Sequence, residues 1–211
     1  MHTHDRESQN SLTPTDALKI LKEGNARFCA NLKANRNLLQ QVNETRDGQW
    51  PFAAILSCID SRTSAELIFD QGLGDVFSIR IAGNFLNNDI LGSLEFACAA
   101  AGAKLIVVLG HSKCGAIRGA CDGVELGHLT GLLKKIHPAV DRVSERYDPE
   151  SRTAANEDFV QAVTRENVRR AVEGIPEQSS VLRDLKTKGE IDVVGAVHDL
   201  TSGKVEFLSP Q

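Results

Sequence analysis

The sequence predicts an α/β fold with a mostly parallel central sheet of four to five strands flanked by helices. Short apolar segments alternate with helical patterns through the middle of the chain, which is typical of strand–helix–strand units. The clearest segment, Leu-Ile-Val-Val-Leu at 105–109, has the continuous apolar character of a strand that is buried on both faces. Glycines follow several of these segments, as expected where strands and helices end.

The predicted elements follow one another in a regular order. Strands are expected at 52–57, 76–81, 104–109, 191–197 and 204–208, the last as an edge strand or hairpin arm. Helices are expected at 64–69, at 90–101 and from about Cys114 onward. Residues 126–188 are predicted to be largely helical, divided at Pro138, Pro149, Gly174 and Pro176.

The N-terminal region predicts a disordered lead-in followed by a helical arm. Residues 1–12 are polar, and Thr13-Pro14-Thr15-Asp16 resembles a helix start, since Thr or Asp can cap and Pro suits the first turn. The apolar face of this helix would be exposed in a lone monomer, so we expect the arm to pack on a partner subunit. Without a linker or internal repeat, residues 1–211 are expected to form a single domain.

Composition narrows the function classes. Hydrophobic residues make up 41% and charged residues 25% of the 211 residues, which is ordinary for a soluble globular protein. The net charge of -4 and the lack of a basic tract argue against a nucleic acid or membrane partner. No secretory signal or spanning segment is recognisable, and five cysteines are a poor disulfide framework. We therefore expect a cytoplasmic location.

Three residues predict a metal site. Cys58 and His111 each follow a predicted strand, and Cys114 begins a helix. Because ligands bind at the carboxyl ends of parallel strands, these side chains are expected to meet there. Two thiolates and one neutral imidazole balance the charge of Zn²⁺, and soft sulfur ligands favour this metal. One ion per chain is expected, with the fourth coordination position left for water as in catalytic sites. A redox role for Cys58 and Cys114 is a weaker interpretation than metal binding, since no Cys-x-x-Cys motif is present.

Three further cysteines are interpreted as small buried hydrophobic residues: Cys29, Cys98 and Cys121.

Asp60 and Arg62 lie beside the predicted metal site. In an extended segment residues two apart share a face, so both can point where Cys58 points. Arg62 would keep Asp60 ionised, and an ionised carboxylate only accepts hydrogen bonds. Asp60 could thus accept the hydrogen of a zinc-bound hydroxide and fix its orientation. Two other roles stay open: Asp60 as a fourth zinc ligand, or as a helix cap.

These motifs resemble the β-class carbonic anhydrases over residues 15–208. The resemblance rests on Cys-x-Asp-Ser-Arg at 58–62 and His-x-x-Cys at 111–114. It extends to further matches: Gly-Asp-Val-Phe at 74–77, Arg80, Ala-Gly-Asn at 82–84 and Gly-Ser-Leu-Glu-Phe at 92–96. It implies a carbonate dehydratase, a zinc lyase that interconverts CO2 and bicarbonate. It also implies an obligate homodimer that often assembles further, as in a dimer of dimers.

The resemblance also implies roles for individual residues. Cys58, His111 and Cys114 would ligate zinc, and Asp60 with Arg62 would form the dyad that orients the hydroxide. The implied substrate-binding positions are Gln49, which would act across the dimer interface, Phe77, Ala82 and Phe96, which would line the CO2 pocket, and Gly83 and Gly115.

Four positions depart from the family pattern. Ile81 stands where many members have Asn, and Phe96 and His198 stand where Tyr is common. Ile55 replaces the Trp of the bicarbonate-inhibited branch. The chain therefore resembles the bicarbonate-insensitive branch, whose site is constitutively open.

Two alternatives remain at this point. The same scaffold could hydrolyse COS or CS2, with specificity set by pocket shape. The protein could instead be a non-catalytic zinc-binding protein with a closed site, in which two cysteines, one histidine and Asp60 all ligate the metal. Arg62 argues against the second alternative, because it draws Asp60 away from the metal.

Overall fold

One five-stranded sheet organises the protein. The computed structural model describes residues 4–209, and within them the strand order is β2–β1–β3–β4–β5. The strands are β1 (Ala53–Ser57), β2 (Val76–Arg80), β3 (Leu105–His111), β4 (Asp192–His198) and β5 (Val205–Phe207). β1 to β4 are parallel, and β5 runs antiparallel to β4 at one edge. The prediction of a mostly parallel sheet of four to five strands is confirmed.

Helices cover both faces of this sheet. They are α1 (Arg6–Ser11), α2 (Pro14–Cys29), α3 (Leu38–Glu44), α4 (Ala65–Ile68), α5 (Asn88–Glu95), α6 (Gly115–Cys121), α7 (Gly127–Leu133), α8 (His137–Ser144), α9 (Glu157–Gln178) and α10 (Ser180–Thr187). A π-helical turn at Phe96–Ala100 extends α5, and a 3-10 turn at Pro149–Ser151 precedes α9. None of the described helices is both long enough and apolar enough to cross a membrane.

The predicted division at Gly174 and Pro176 is wrong, because α9 continues through both residues to Gln178. Proline lacks the N–H that would bond to the preceding turn. Pro176 lies in the last turn of α9, where the loss of that bond interrupts little of the helix. A helix end two residues further on is thus compatible with this proline.

Alternate residues of the strands face different helices. In β1, Ala54 and Leu56 pack with α5, α9 and α10, whereas Ala53 and Ile55 pack with α2 and α4. Burial of both faces explains why β3 is apolar without interruption. A third apolar cluster at the carboxyl end of the sheet joins residues of α6, α7, α8 and α9.

The apolar face of α2 is buried within its own chain. Ala17 and Leu21 are fully buried against residues of β1 and β3. The apolar positions that predicted a partner for this helix therefore already have one in the sheet. Exposed apolar side chains follow in α3, where Leu38, Leu39 and Val42 are 53%, 71% and 47% exposed. If the arm packs on a partner subunit, α3 offers the apolar surface.

The predicted disorder of residues 1–12 is wrong for the part that the structure describes, since α1 begins at Arg6; residues 1–3 lie outside the described residues. Asp5 and Ser8 form a capping box at the start of this helix. Gln9 is buried, and its Nε2 donates to the carbonyl oxygens of Pro51 and Ala101, each at 2.8 Å. Two hydrogen bonds to backbone carbonyls far along the chain dock the helix, despite its polar sequence.

A buried carboxylate anchors the segment that leads into α3. Asp70 accepts hydrogen bonds from the guanidinium groups of Arg27 and Arg36 and from the backbone N–H of Ala34. Burial alone would raise the pKa of Asp70, but these hydrogen bonds outweigh it and hold the pKa below its ordinary value. The ion pair thus ties the end of α2 and the following segment to the end of α4.

We expect Asp70→Asn to destabilise the protein at neutral pH by about 3 to 5 kcal/mol, because it leaves two cations facing a group without charge. A lowered folded-state pKa gives stability that is present above the unfolded value of about 3.9 and lost as pH falls through the folded value. The difference from wild type should therefore narrow below about pH 4. Urea unfolding at several pH values measures it.

Asp47→Asn is the matched control, since Asp47 pairs with Arg46 at the surface with both side chains largely exposed. That variant should change the free energy of unfolding by less than about 1 kcal/mol. An equally small effect of Asp70→Asn would contradict the anchoring role.

Candidate metal centre

Cys58, His111 and Cys114 meet at the carboxyl end of the sheet. Cys58 follows β1, His111 ends β3, and Cys114 caps the start of α6. β1 and β3 are parallel neighbours whose register pairs Ser57 with Leu109, so their ends lie side by side. The two sulfurs are 3.9 Å apart, and the three ligand atoms all lie within 4.8 Å of one another. The structure therefore brings together the residues that the sequence singles out as metal ligands.

The geometry of this cluster fits a tetrahedral zinc ion. Two sulfurs that are each about 2.3 Å from such an ion lie about 3.8 Å apart, close to the observed distance. His111 Nδ1 is 2.9 Å from the carbonyl oxygen of Ser112, which can only accept, so Nδ1 carries the proton. Nε2 therefore keeps its lone pair, and within the described residues this buried atom has no hydrogen-bond partner. A metal ion would satisfy it.

The two thiols share a single proton more readily than they lose both. A hydrogen bond from Cys114, together with the Gly83 N–H, lowers the pKa of Cys58 well below its ordinary value. The adjacent Cys58 sulfur and burial raise the pKa of Cys114 far above its ordinary value. A divalent cation would displace the remaining proton, because metal ligands bind as thiolates. The cluster is thus prepared for a cation that brings two positive charges.

Arg80 holds the segment that carries Cys58 and Asp60. Its Nε donates to the carbonyl oxygen of Cys58 at 2.9 Å, and its Nη2 donates to that of Asp60 at 2.6 Å. Thr63 contributes from the other side, with its hydroxyl 3.0 Å from the same Asp60 oxygen. These bonds fix the backbone that follows β1, and with it the directions of the two side chains.

Asp60 and Arg62 form a two-pronged ion pair beside the cluster. Arg62 Nε lies 2.9 Å from Oδ1 of Asp60, and Nη2 lies 2.7 Å from Oδ2. The Arg62 backbone N–H also donates to Oδ1, at 2.9 Å. This guanidinium holds the pKa of Asp60 well below its usual range. Oδ2 is 4.0 Å from Nε2 of His111, so the carboxylate lies next to the ligand atoms while Arg62 holds both of its oxygens.

The substrate-binding positions that the sequence suggests fall into two groups. Gly83 lies at the cluster, with its N–H 3.4 Å from Cys58 Sγ; Ala82 precedes it, and Gly115 begins α6. Phe77 on β2 and Phe96 at the end of α5 instead pack edge to face with ring centres 6.1 Å apart. Phe96 is 58% exposed, and Gln49, between α3 and β1, is also exposed. The second group therefore lies on the open surface at the β2 edge and before β1.

His198 backs the metal cluster from β4. The register of β3 and β4 places it directly opposite His111, and it is 3% exposed. Burial, followed by the nearby His111, lowers the pKa of His198. Its carbonyl oxygen accepts from the Ser112 N–H at 2.9 Å, which ties the residue after His111 to β4. Within the described residues, the buried Nδ1 of His198 has no hydrogen-bond partner.

The remaining cysteines lie outside the cluster. Cys98 is buried and Cys121 is half-buried, as expected of small hydrophobic residues, and burial raises the pKa of these thiols to about 12 and about 11. The prediction that Cys29 is buried is wrong. Cys29 is the last residue of α2, and its side chain is exposed at this end of the helix.

Asn167 is a residue near the site that no sequence motif indicates. It lies on α9, is 5% exposed, and donates from Nδ2 to the carbonyl oxygen of Gly83 at 2.8 Å. One signal was available, because a lone amide on an otherwise apolar helix face needs a buried partner. The sequence could not say which backbone carbonyl that partner would be.

Comparisons with known proteins agree on one family. A family profile described as carbonic anhydrase matches residues 53–205. A protein of Mycobacterium tuberculosis named carbonic anhydrase 2 is 36% identical over 199 residues, covering 90% of this chain and 91% of its own. The carbonic anhydrase of Mycolicibacterium smegmatis is 34% identical and covers 93% and 94%.

Solved structures show the same fold. A β-carbonic anhydrase of Aspergillus fumigatus superposes with a TM-score of 0.71 at 25% identity, covering 92% of this chain and 90% of its own. A structure from a study of two tetrameric β-carbonic anhydrases of Sordaria macrospora also has a TM-score of 0.71, at 24% identity, and covers 80% and 85%.

We expect Cys114→Ser to lose zinc, since a neutral hydroxyl replaces one of two thiolate ligands. Wild-type protein should retain about one zinc per chain after dialysis against a chelator, as measured by elemental analysis, and the variant should retain little. Cys121→Ser, in the same helix, is the control and should keep its zinc. Full retention by Cys114→Ser would refute the ligand role.

Proposed function

Because this chain belongs to the β-class carbonic anhydrases, we propose that it interconverts CO2 and bicarbonate at the Cys58–His111–Cys114 cluster. The observation that carries the proposal is a compact set of three ligand atoms beside a carboxylate whose two oxygens are held by Arg62. Zinc in this cluster would lower the pKa of a water from about 15.7 towards about 7, which supplies hydroxide near neutral pH. The protein contributes the orientation of that nucleophile.

Asp60 is the orienting group in this proposal. Its low pKa keeps it ionised, so it can accept a hydrogen bond but cannot donate one. A hydroxide can give its hydrogen to Asp60, whereas a fully deprotonated oxygen cannot. This hydrogen bond turns a lone pair of the attacking oxygen towards CO2. Arg62 keeps the carboxylate in place through both of its oxygens.

We propose that the site is open, with Asp60 away from the metal. Binding to zinc would require Asp60 to give up part of its two-pronged contact with Arg62. Ile55, which stands where the bicarbonate-inhibited branch has Trp, supports the same assignment. On this proposal the enzyme is bicarbonate-insensitive.

The apolar substrate pocket is proposed to form between two copies of the chain. Ala82, Gly83 and Gly115 would border CO2 on the side of the ligands. Phe77 and Phe96 would complete the apolar wall, and Gln49 would donate to the substrate, across a homodimer interface. Three exposed apolar side chains of α3 support such an interface: Leu38, Leu39 and Val42. The tetrameric enzymes of Sordaria macrospora make a dimer of dimers a natural extension.

A reducing compartment suits this chemistry. All five cysteines are unpaired, and two of them are needed as thiolate ligands. We propose that the enzyme works in the cytoplasm, where thiols stay reduced.

Stopped-flow CO2 hydration, with zinc content determined on the same sample, tests the proposed function. Fast hydration at about one zinc per chain is expected, with rates that rise between about pH 6.5 and pH 9 as the nucleophile deprotonates. Stoichiometric zinc without hydration at any pH would overturn the proposal. Assays with COS and CS2 would then distinguish another hydrolase from a non-catalytic zinc protein.

We expect Asp60→Asn to keep its zinc and to lose hydration activity by about tenfold to a hundredfold, because an amide can donate to the attacking oxygen and no longer fixes its orientation. Stopped-flow rates, normalised to zinc content, measure the effect. Asp184→Asn, an exposed substitution on α10, is the control and should retain wild-type rates. Near wild-type activity of Asp60→Asn would contradict the orienting role.

A further inference from the structure

We propose that Asn167 is a positioning residue for the metal centre: it holds the turn at residues 81–84 in the form that directs the Gly83 N–H at Cys58 Sγ. The inference rests on the proposed zinc site and adds to it a residue from a distant helix. Two hydrogen bonds connect Asn167 to the sulfur, with Gly83 as the link. Its Nδ2 donates to the Gly83 oxygen at 2.8 Å, and the Gly83 nitrogen lies 3.4 Å from the sulfur.

The turn has the features of a type II β-turn. The Asn84 N–H donates to the Ile81 carbonyl oxygen at 2.9 Å, and Gly83, in the third position, has a φ of +79°. The peptide between Ala82 and Gly83 carries the N–H that faces Cys58. Types I and II differ by a rotation of this peptide of about half a turn. In the rotated form the N–H would point away, and the Ala82 carbonyl would approach an anionic sulfur.

The positive φ of this turn favours glycine, and glycine leaves its backbone free to rotate. A side chain at Gly83 would place its Cβ 2.5 Å from Cδ1 of Ile136, in addition to the strain of a positive φ. The residue that fits is thus also the one that restrains the turn least. A restraint on the neighbouring Gly83–Asn84 peptide fixes where the glycine lies, and with it the position from which its N–H reaches the sulfur.

Asn167 supplies that restraint from a rigid element. It lies in the middle of α9, which packs on β3 and β4, and its side chain is almost fully buried. Its Nδ2 is the side-chain donor that the described residues offer to a backbone carbonyl of residues 81–84, that of Gly83. A buried amide without a partner is costly, so the bond to Gly83 O is strongly favoured over its absence. Through these two hydrogen bonds, the position of α9 determines where the Gly83 N–H meets Cys58 Sγ.

The consequence concerns the strength of Cys58 as a ligand. An N–H directed at a thiolate stabilises its charge and fixes the direction from which the sulfur binds a cation. Outer partners of this kind commonly change metal affinity by about 10- to 100-fold. Loss of the Asn167 amide should therefore weaken zinc binding, although within the described residues its hydrogen bond goes to Gly83 and not to a metal ligand.

The experiment compares zinc affinity and the spectrum of the cobalt-substituted protein in wild type, Asn167→Ala and Asn167→Leu. Competition with a chromophoric chelator should show zinc binding weakened by about 10- to 100-fold in both variants. The sulfur-to-cobalt charge-transfer band should shift. Asn167→Leu keeps most of the side-chain volume but cannot donate, so it separates the hydrogen bond from packing.

Asn25→Ala is the matched control. Asn25 is also a buried amide that donates to two backbone carbonyls, those of Ile68 and Gly203 at 3.1 and 3.0 Å. These contacts lie on the α2 side of the sheet. The control should lose comparable stability in urea unfolding while zinc affinity and the cobalt spectrum stay at wild-type values.

A direct measurement in the wild-type protein keeps the inference testable if the variants fold poorly. In protein substituted with cadmium-113, nuclear magnetic resonance should detect a scalar coupling between the metal and the Gly83 amide proton, transmitted through the N–H···S bond. Its absence would overturn the inference, as would unchanged zinc affinity and an unchanged cobalt spectrum in both Asn167 variants. Failure of the proposed function gives a different result, since zinc and the coupling would be present without CO2 hydration.

Discussion

The parallel pairing of β1 with β3 is the constraint on which the metal centre depends. Neighbouring strands lie about 4.8 Å apart, so residues at the same end of two parallel strands are within reach of one ion. An antiparallel pairing would instead place Cys58 and His111 at opposite ends of the sheet. The parallel arrangement requires helices on both faces, and these helices bury β1 and β3 along their whole length. Core packing and ligand placement are therefore consequences of the same topology.

Around the ligands, the protein stabilises negative charge with groups that differ in kind. The Gly83 N–H approaches the Cys58 sulfur, and Arg62 neutralises the Asp60 carboxylate. Arg80 donates to the backbone carbonyl oxygens of Cys58 and Asp60. The dyad is partly solvent-accessible, whereas the sulfurs and the imidazole are buried. A dry, pre-formed ligand set is thus next to a carboxylate that solvent and substrate can approach, which suits a site that must exchange small molecules quickly.

Sequence patterns predict the sheet and the cluster because both depend on local signals. The apolar segment at 105–109 identifies β3, and residues directly after strand ends must gather at one edge. Patterns fail where a contact with a distant residue decides the outcome. Gln9 orders a polar helix through carbonyls far along the chain, and Asn167 reaches Gly83 from another helix. Neither partner could be chosen from spacing alone.

Gln9 also closes the β1–β3 pair at the end opposite to the metal. It bridges the carbonyl oxygens of Pro51, just before β1, and Ala101, in the turn that leads into β3. The bridge and the ligand cluster are thus separated by the length of a five-residue strand, about 17 Å. A chain shortened to begin after α1 would retain every ligand but would leave the carbonyl oxygens of Pro51 and Ala101 without this donor. For protein engineering, the residues of α1 are therefore part of the fold and should not be replaced by a tag or trimmed for crystallisation.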